Sequence, residues 1–235
     1  MHQIASDINE IPENGVYVEG SVICRLLMGT VGLQKVRSNR VLVVIDAHND
    51  KTFVNAAINS VSGARSAYGF KCSKVVQLEP PIKLKGRYTS TGRAAGRVED
   101  LFGLIELLEE MKNDYDAVAL SSVIDVPSSY HLDYFLSEGD IINPWGGVEA
   151  MLTHAISQLY NIPSAHSPMF ESQKIANLDP GVVDPRMASE AVSMTFLQCI
   201  LKGLQHSPKI VTDQNALLSD NVISVADISY LIIPD

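Results

Sequence analysis

A continuous apolar run, Val41 to Ile45, is the sequence feature that most restricts how this chain can fold. Because the run has no polar face, it is typical of a strand that is covered on both sides in a parallel sheet. Directly after it, Asp50 to Tyr68 carries apolar side chains at helical spacing, and Gly69 is the expected stop. A buried strand followed by such a helix predicts a strand–helix–strand unit.

The same alternation continues along the chain. Further strands are predicted at Lys74 to Leu78, Asp116 to Ile124 and Ile228 to Ile233, and further helices at Val98 to Met111, Val148 to Tyr160 and Arg186 to Lys202. Alternating elements indicate an α/β fold, with a mainly parallel sheet of about five to six strands and helices on both faces. No linker or repeat divides the sequence, so we expect residues 1–235 to form a single α/β domain.

Composition excludes several classes of protein. With 46% hydrophobic and 19% charged residues, the chain is expected to be globular rather than disordered, and its net charge of −9 argues against a nucleic-acid or anionic-membrane binder. No segment reaches the roughly 18 apolar residues of a membrane span, and Met1 to Glu13 lacks the apolar core of a secretory signal. Three scattered cysteines fit a reducing compartment. These features predict a cytoplasmic protein with no nucleic-acid or membrane partner.

The first candidate for chemistry directly follows the first strand. Asp46, His48 and Asp50 alternate there, and the string resembles the Asp-Ala-His-x-Asp metal-binding segment of the manganese ureohydrolases, the arginase and agmatinase family. That family also needs a Gly-Asp-His segment and a later acidic segment, whereas residues 121–127 offer only Asp125. The alternative is a polar strand end in which Asp50 caps the next helix. We therefore assign neither a metal nor a cofactor.

A basic stretch between Pro80 and Val98 contains no acidic residue in a strongly acidic protein. Its last part, Gly92 to Arg97, is expected to open a helix, where backbone amides and the side chains of Arg93 and Arg97 would bind an anion. The alternative is a solvated basic loop. It is not a phosphate-binding P-loop, because no Gly-Lys-Ser/Thr follows.

A second prepared helix start lies at Asn143 to Gly147. The paired glycines Gly146 and Gly147 could hold a ligand, or the loop could simply anchor Trp145 in the core. Glu149 and His154 lie off the predicted apolar stripe of the following helix, so Glu149 is a candidate acid or base if it faces a pocket.

His166 lies in a segment bracketed by Pro163 and Pro168, which predicts a loop. A histidine there could carry protons or could bond to the backbone. Because ligands bind beyond the carboxyl ends of parallel strands, we expect Asp46, Asp125 and His166 to share one edge of the sheet. His131 and Asp133 form a further polar pair. The sequence contains neither a Gly-x-Ser-x-Gly elbow nor a dinucleotide glycine fingerprint.

Several segments together resemble an uncharacterised family, a domain of unknown function found in bacteria, archaea and photosynthetic lineages. They are Asn14 to Ala47, Asn143 to His154, Pro163 to Pro168 and Phe196 to Gly203. The resemblance covers roughly residues 7–235. Family members are longer at both ends, which implies that this chain is part of a longer protein. The resemblance carries no established reaction.

Three functions follow as hypotheses. The first is an enzyme acting on a small anionic metabolite, with Arg93, Arg97 and the amides of Gly146 and Gly147 holding the anion, and His166, Asp46 or Glu149 moving protons; Asp125 and His48 are further ligand-binding candidates. The second is a non-catalytic metabolite-binding or assembly protein, with a homo-oligomer left open. The third is a metal-dependent hydrolase centred on Asp46, His48 and Asp50.

Overall fold

The structure, a computed structural model, describes residues 15–137, 141–185 and 187–233. The strands are β1 (Gly32–Gln34), β2 (Val41–Asp46), β3 (Cys72–Leu78), β4 (Lys83–Tyr88), β5 (Ala94–Glu99), β6 (Ala117–Asp125), β7 (Ser164–Met169), β8 (Lys209–Val211) and β9 (Val222–Ile223). The helices are α1 (Gly20–Leu27), α2 (Lys51–Tyr68), α3 (Phe102–Glu110), α4 (Ser129–Phe135), α5 (Gly146–Tyr160), α6 (Gln173–Ala176), α7 (Ala188–Val192) and α8 (Met194–His206). Within this part of the chain, no helix is both long and apolar enough to cross a lipid bilayer.

The predicted α/β class is confirmed. A six-stranded sheet has five strands in the order β3-β2-β6-β4-β5, and its sixth strand, β7, also pairs with β6. β3, β2, β6 and β7 are parallel to their neighbours, and only β5 runs antiparallel, against β4. The long strand β6 serves both partners because Val118 to Val123 pair with β7, whereas Ile124 and Asp125 pair with β4.

β2 and α2 form as the sequence predicts. Every residue of β2 is buried, in keeping with the continuous apolar run. α2 starts at an Asp50 cap, whose side chain accepts the backbone N–H of Thr52 at 2.9 Å, and ends at Gly69 in the left-handed conformation. Asp50 is therefore a capping residue.

Helices cover the sheet on both faces. On one face, α3 and α5 pack on side chains of β2 and β6 that include Leu42, Val44 and Leu120. On the other, α2 and α8 pack on Val43, Ile45 and neighbouring alanines. A separate small antiparallel sheet, ordered β8-β1-β9, packs its apolar side chains against α1.

The stretch from Pro80 to Val98 is a β-hairpin rather than a loop leading into a helix. Residues 94–99 form β5, so the prediction that Gly92 to Arg97 opens a helix is wrong, and α3 begins only at Phe102. Packing explains why residue 96 is a glycine. A Cβ at Gly96 would collide with the Lys85 carbonyl and with Val148 of α5, because the hairpin backbone rests directly on that helix.

Three other predicted elements differ. Residues 164–169 form the strand β7 where the proline bracket predicts a loop; prolines are tolerated there because β7 pairs with β6 alone. Ile228 to Ile233 form no strand, and most of their side chains are exposed. The long helix predicted from Arg186 is broken at Ser193, whose φ is +58°, into α7 and α8. Arg186 itself, like Met1 to Glu13, lies outside the described residues.

Candidate functional site

A row of hydrogen-bonded polar side chains crosses the core between the sheet and α5. The Ser122 Oγ lies 2.7 Å from the His166 Nε2, and the His166 Nδ1 lies 3.0 Å from the Glu149 Oε1. Ser122 is 1% exposed, His166 4% and Glu149 9%, so both bonds form away from bulk water. Polar groups in such surroundings depend on one another for hydrogen bonding, which makes the arrangement a unit.

Strand register places two of these residues side by side. His166 of β7 pairs with Leu120 of β6, so Ser122 lies one residue pair further along the same face of the sheet. That face looks toward α5, where Glu149, Thr153 and Ser157 recur every four residues and are all buried. Ser164 extends the polar contact, because its hydroxyl donates to the Thr153 carbonyl at 3.1 Å. The sheet and the helix therefore meet along a polar stripe.

Asp46 lies on the same face of the sheet as Ser122, at the last position of β2. It is 2% exposed, its Oδ2 accepts the backbone N–H of Ile82 at 3.2 Å, and its Oδ1 has no hydrogen-bond partner among the described residues. Burial raises the pKa of Asp46 to about 7, although the Ile82 amide and the nearby Ser122 hydroxyl oppose the rise. Asp46 is thus a carboxyl whose charge changes close to neutral pH.

A cavity with room for about 120 Å³ lies beside His166 and Glu149. An engineered apolar cavity of about 150 Å³ holds benzene, so this one accommodates a group of about that size. Thr153 and Glu19 add polar atoms to its wall, and the rest is mostly apolar. Among the residues that contribute to this apolar wall are Val18, Val22, Phe196, Ile200, Leu204 and Ile210.

A second, smaller cavity of about 30 Å³ lies on the other side of Glu149, which together with Phe196 lines both. Glu190 of α7 contributes to it and accepts hydrogen bonds from the Tyr134 hydroxyl at 2.8 Å and the Asn143 Nδ2 at 3.2 Å. Burial raises the pKa of Glu190 to about 8, and the nearby charge of Glu149 adds to the rise. Glu190 is therefore a second buried carboxyl with a raised pKa, and it lies near Glu149.

The three side chains of the ureohydrolase-like segment do not converge. Asp46 points into the core, as described above. The His48 Nδ1 accepts the N–H of Asp50 at 2.9 Å and the Nε2 lies 3.0 Å from the Phe170 carbonyl oxygen, so both ring nitrogens bind backbone. In the described part of the chain, no three His, Cys, Asp or Glu side chains form a group that could hold a metal ion.

The predicted anion site is also rearranged. On β5, Ala94, Gly96 and Val98 face α5, so Arg97 alternates to the exposed opposite face, and Arg93 is exposed in the turn. Gly147 packs against the Ala94 backbone, where an added Cβ would lie 2.5 Å from the carbonyl oxygen. The amide of Gly146 donates to the Asn143 Oδ1 at 2.9 Å. The hairpin backbone lies between the two glycines and the exposed arginine side chains, so these residues do not form one anion site.

The expectation of one shared edge holds for Asp46 and His166 only in part. Both lie on the face of the sheet that carries Ser122, but His166 is in the interior of β7 rather than beyond its end. Asp125 lies three residues after Ser122 in β6, hence on the opposite face, and is exposed. Asp125 is therefore not part of this site.

The two remaining histidine candidates, His154 and His131, have structural partners. The His154 Nε2 lies 2.8 Å from the Glu19 Oε2, and Glu19 also caps α1. His131 is buried against Trp145, with ring centroids 5.0 Å apart, and Asp133 is exposed. Trp145 is itself buried, in agreement with the anchoring interpretation of its loop.

Ser122 is the residue that sequence reasoning missed. The distance from Ser122 to His166 and that from His166 to Glu149 resemble the distances within a serine-hydrolase triad. However, Ser122 lies within a strand and is not among the residues that line either cavity, so its hydroxyl supports the histidine instead of facing a ligand. One available sequence signal was the repeat of Glu149, Thr153 and Ser157 every four residues, which marks a second, polar face of α5.

Comparison with known proteins gives a family without a reaction. A family model described as "Protein of unknown function (DUF3326)" matches residues 4–235. An uncharacterised lipoprotein of Synechococcus sp. is 27% identical over 199 residues, which cover 83% of this chain and 54% of the relative. The chain thus spans about half the length of the curated relative it matches. No solved structure matches the chain.

Proposed function

Because the chain belongs to the DUF3326 family, whose description specifies no reaction, we propose its function from the site: an enzyme that exchanges a proton with a compact metabolite through Glu149. The observation that carries this proposal is the 3.0 Å bond from Glu149 to His166 at the wall of an apolar cavity. A carboxyl held by a buried imidazole beside a ligand-sized space is a typical general acid–base arrangement.

The cavity also bears on the ligand. Its volume suits an apolar group about as large as a benzene ring. Neither Lys nor Arg is among its described lining residues, whereas Glu19 and Glu149 are, so the described wall carries two carboxyl side chains and no permanently cationic one. We therefore favour a ligand with an apolar body and a neutral or cationic polar group directed at Glu149.

A ring with three different polar groups tests this. Benzylamine, benzyl alcohol and benzoate share one apolar body, and thermal shifts should show stabilisation by the first two. Glu149→Gln keeps the side-chain shape but cannot ionise, so it should reduce the shift with benzylamine most. Glu110→Gln, on the exposed surface of α3, is the matched control. Equal shifts in both variants, or none with any compound in the wild type, would refute a site at Glu149.

Turnover separates an enzyme from a binding protein. A small-molecule extract incubated with wild type, Glu149→Gln or Glu110→Gln should show compounds consumed by the first and third proteins only, as measured by mass spectrometry. Ligand-induced stabilisation without such consumption would favour the non-catalytic binding protein.

A small anionic metabolite is a second candidate ligand, for a different surface. Lys85 and Arg97 lie directly opposite each other on the exposed face of the β4–β5 hairpin, and neither forms an ion pair with a described residue. Stabilisation by benzoate or phosphate that is lost in Arg97→Ala and kept in Glu149→Gln would favour it.

Location is proposed separately. None of the three cysteines, all of which lie in the described part, forms a disulfide, and this supports a reducing, cytoplasmic compartment. The name of the Synechococcus relative, a lipoprotein, favours membrane attachment instead. Fractionation of cells that express this protein distinguishes the two.

A further inference from the structure

The smaller cavity is lined by three titratable side chains, His131, Glu149 and Glu190, in a wall that is otherwise mostly apolar. His131 is 6% exposed, and its Nδ1 is buried without a hydrogen-bond partner among the described residues. A buried ring nitrogen of this kind is costly unless water binds it. Because a water molecule needs roughly 10–15 Å³ of such space, a cavity of about 30 Å³ has room for one or two.

Glu190 is fixed at this cavity by the loop that precedes α5. Its Oε2 accepts a hydrogen bond from the Asn143 Nδ2 at 3.2 Å. The Asn143 amide is itself held in one orientation, because its Oδ1 accepts the backbone N–H groups of Trp145 and Gly146 at 2.8 and 2.9 Å. Glu149 lies in the first turn of the same helix, so Asn143 sets the position of Glu190 relative to Glu149.

Glu149 adjoins both cavities. Its Oε1 lies 3.0 Å from the His166 Nδ1, which leaves the Oε2 for the cavities. A ligand in the larger cavity that takes a proton from Glu149 closes that side to water. His166 offers no route for a replacement, because its Nε2 is bound to the buried Ser122. The smaller cavity is therefore the route by which Glu149 regains a proton.

We propose that Glu190 supplies this proton as a positioning residue, which acts on a ligand only through Glu149, and that water in the smaller cavity connects the two carboxyl groups. This inference rests on the proposed role of Glu149. In the step, Glu190 gives its carboxyl proton to the water, and the same water gives one of its own protons to the Glu149 carboxylate. One O–H bond breaks at Glu190 and one forms at Glu149, so the negative charge passes from Glu149 to Glu190. Solvent then returns a proton to Glu190, whose carboxyl is enclosed but which as a residue is only half-buried.

The surroundings keep Glu190 protonated at neutral pH. Burial raises the pKa of Glu190 to about 8; the hydrogen bonds from Tyr134 and Asn143 oppose the rise, and the charge of Glu149 adds to it. Among the described residues, the titratable groups that face Glu190 are Tyr134 and His131 of α4 and Glu149 of α5. Burial lowers the pKa of His131, so this imidazole is neutral at pH 7 and accepts a hydrogen bond from water.

Infrared spectroscopy of the full chain tests the coupling without a ligand. Labelling the glutamate carboxyl carbons with ¹³C separates their C=O bands from that of Asp46, which also titrates near neutral pH. Between pH 6 and 10, the band of a protonated glutamate should disappear with a midpoint at about 8 in wild type and should be absent in Glu190→Gln. In Glu149→Gln the midpoint should fall by about one pH unit, because the neighbouring negative charge is gone. The exposed Glu110→Gln is the matched control and should leave the midpoint unchanged.

Two further measurements test the water and the proton supply. Nuclear Overhauser effects from long-lived water to the His131 ring protons should be present. In the extract experiment, Glu190→Gln should slow consumption at least about tenfold, whereas Glu190→Asp, which keeps a carboxyl next to the water, should retain most of the rate. A glutamine accepts the same hydrogen bonds from Tyr134 and Asn143, so a merely structural role would survive in Glu190→Gln.

The outcomes separate this inference from the function on which it rests. An unchanged midpoint in Glu149→Gln, no bound water at His131, or a wild-type rate in Glu190→Gln would overturn the role of Glu190 while leaving an active enzyme. A shifted midpoint without consumption by wild type would instead refute the enzyme, and the proton supply with it.

Discussion

Charged side chains are dense on the β4–β5 hairpin and sparse in the core that holds Asp46 and Glu149, yet it is in the core that burial raises the pKa of Asp46 to about 7. Arg97 and Lys85 are exposed to water, which screens them. Asp46 has 2% of its surface exposed and ionises near pH 7. The number of charged residues therefore marks the hairpin, but burial marks the site.

The comparison is tested most strongly by Asp46→Asn. In the unfolded chain Asp46 ionises near pH 3.8, and in the folded chain near 7, so between these values the unfolded state binds fewer protons. Wild-type stability therefore falls as the pH rises through this window. Since each pKa unit is worth about 1.36 kcal/mol, the variant should gain stability over wild type, by up to about 4 kcal/mol above pH 7.

Urea unfolding at pH 4.5, 6 and 8 measures this gain. Asp125→Asn, which removes an exposed carboxyl from the same sheet, should show a difference from wild type that is small at every pH. A stability difference between Asp46→Asn and wild type that is the same at all three pH values would contradict the role given to burial.

Gly96→Ala tests whether the hairpin matters to the site through its backbone. The new methyl group has no space between the Lys85 carbonyl and Val148, and a backbone atom cannot move aside as a side-chain end can. We expect a loss of about 2 kcal/mol in the free energy of unfolding. In Gly103→Ala, the added Cβ meets Leu78 at an ordinary 3.6 Å, so no such loss should occur. Equal stability of Gly96→Ala and wild type would show that the hairpin is loosely attached to α5.

The smallest effect is expected on the exposed face of the hairpin. Arg97→Glu replaces a like-charge pair with Lys85 by an opposite-charge pair, which should stabilise the chain by about 0.5 kcal/mol. Arg97→Gln should give roughly half of this gain. Both gains should vanish in 1 M salt, where screening is strong. A change of several kcal/mol in either variant would mean that Arg97 has a structural role like that of the buried row.

The sequence predicted the elements whose local pattern and burial agree. Val41 to Ile45 are apolar without interruption because both faces of β2 are covered, and Asp50 and Gly69 fit the two ends of α2. β7 was missed because Pro163 and Pro168 are turn residues unless the strand has a free edge, and that depends on the whole sheet. At Gly96 the missing side chain reflects a contact with α5, about fifty residues later in the chain.

The site was predicted as single residues rather than as a unit. Asp46, Glu149 and His166 were all candidates, but the contact of His166 with Ser122 depends on the pairing of Leu120 with His166, which no local pattern specifies. Arg93, Arg97 and His48 were chosen for their chemical type, and the structure gives them to solvent or to backbone. Register between distant strands is the information that sequence spacing lacks.

The wall of the larger cavity joins two parts of the chain that are distant in sequence. Tyr17 to Val22 supply one side, and Ser207 to Ile210 supply another, beside α5 and α8. A molecule bound there would fasten these segments together, because either one could detach only by giving up its contacts with the ligand. Amide hydrogens of α1 and β8 should then exchange with solvent at one common, slower rate, so that two separate local openings become a single cooperative event.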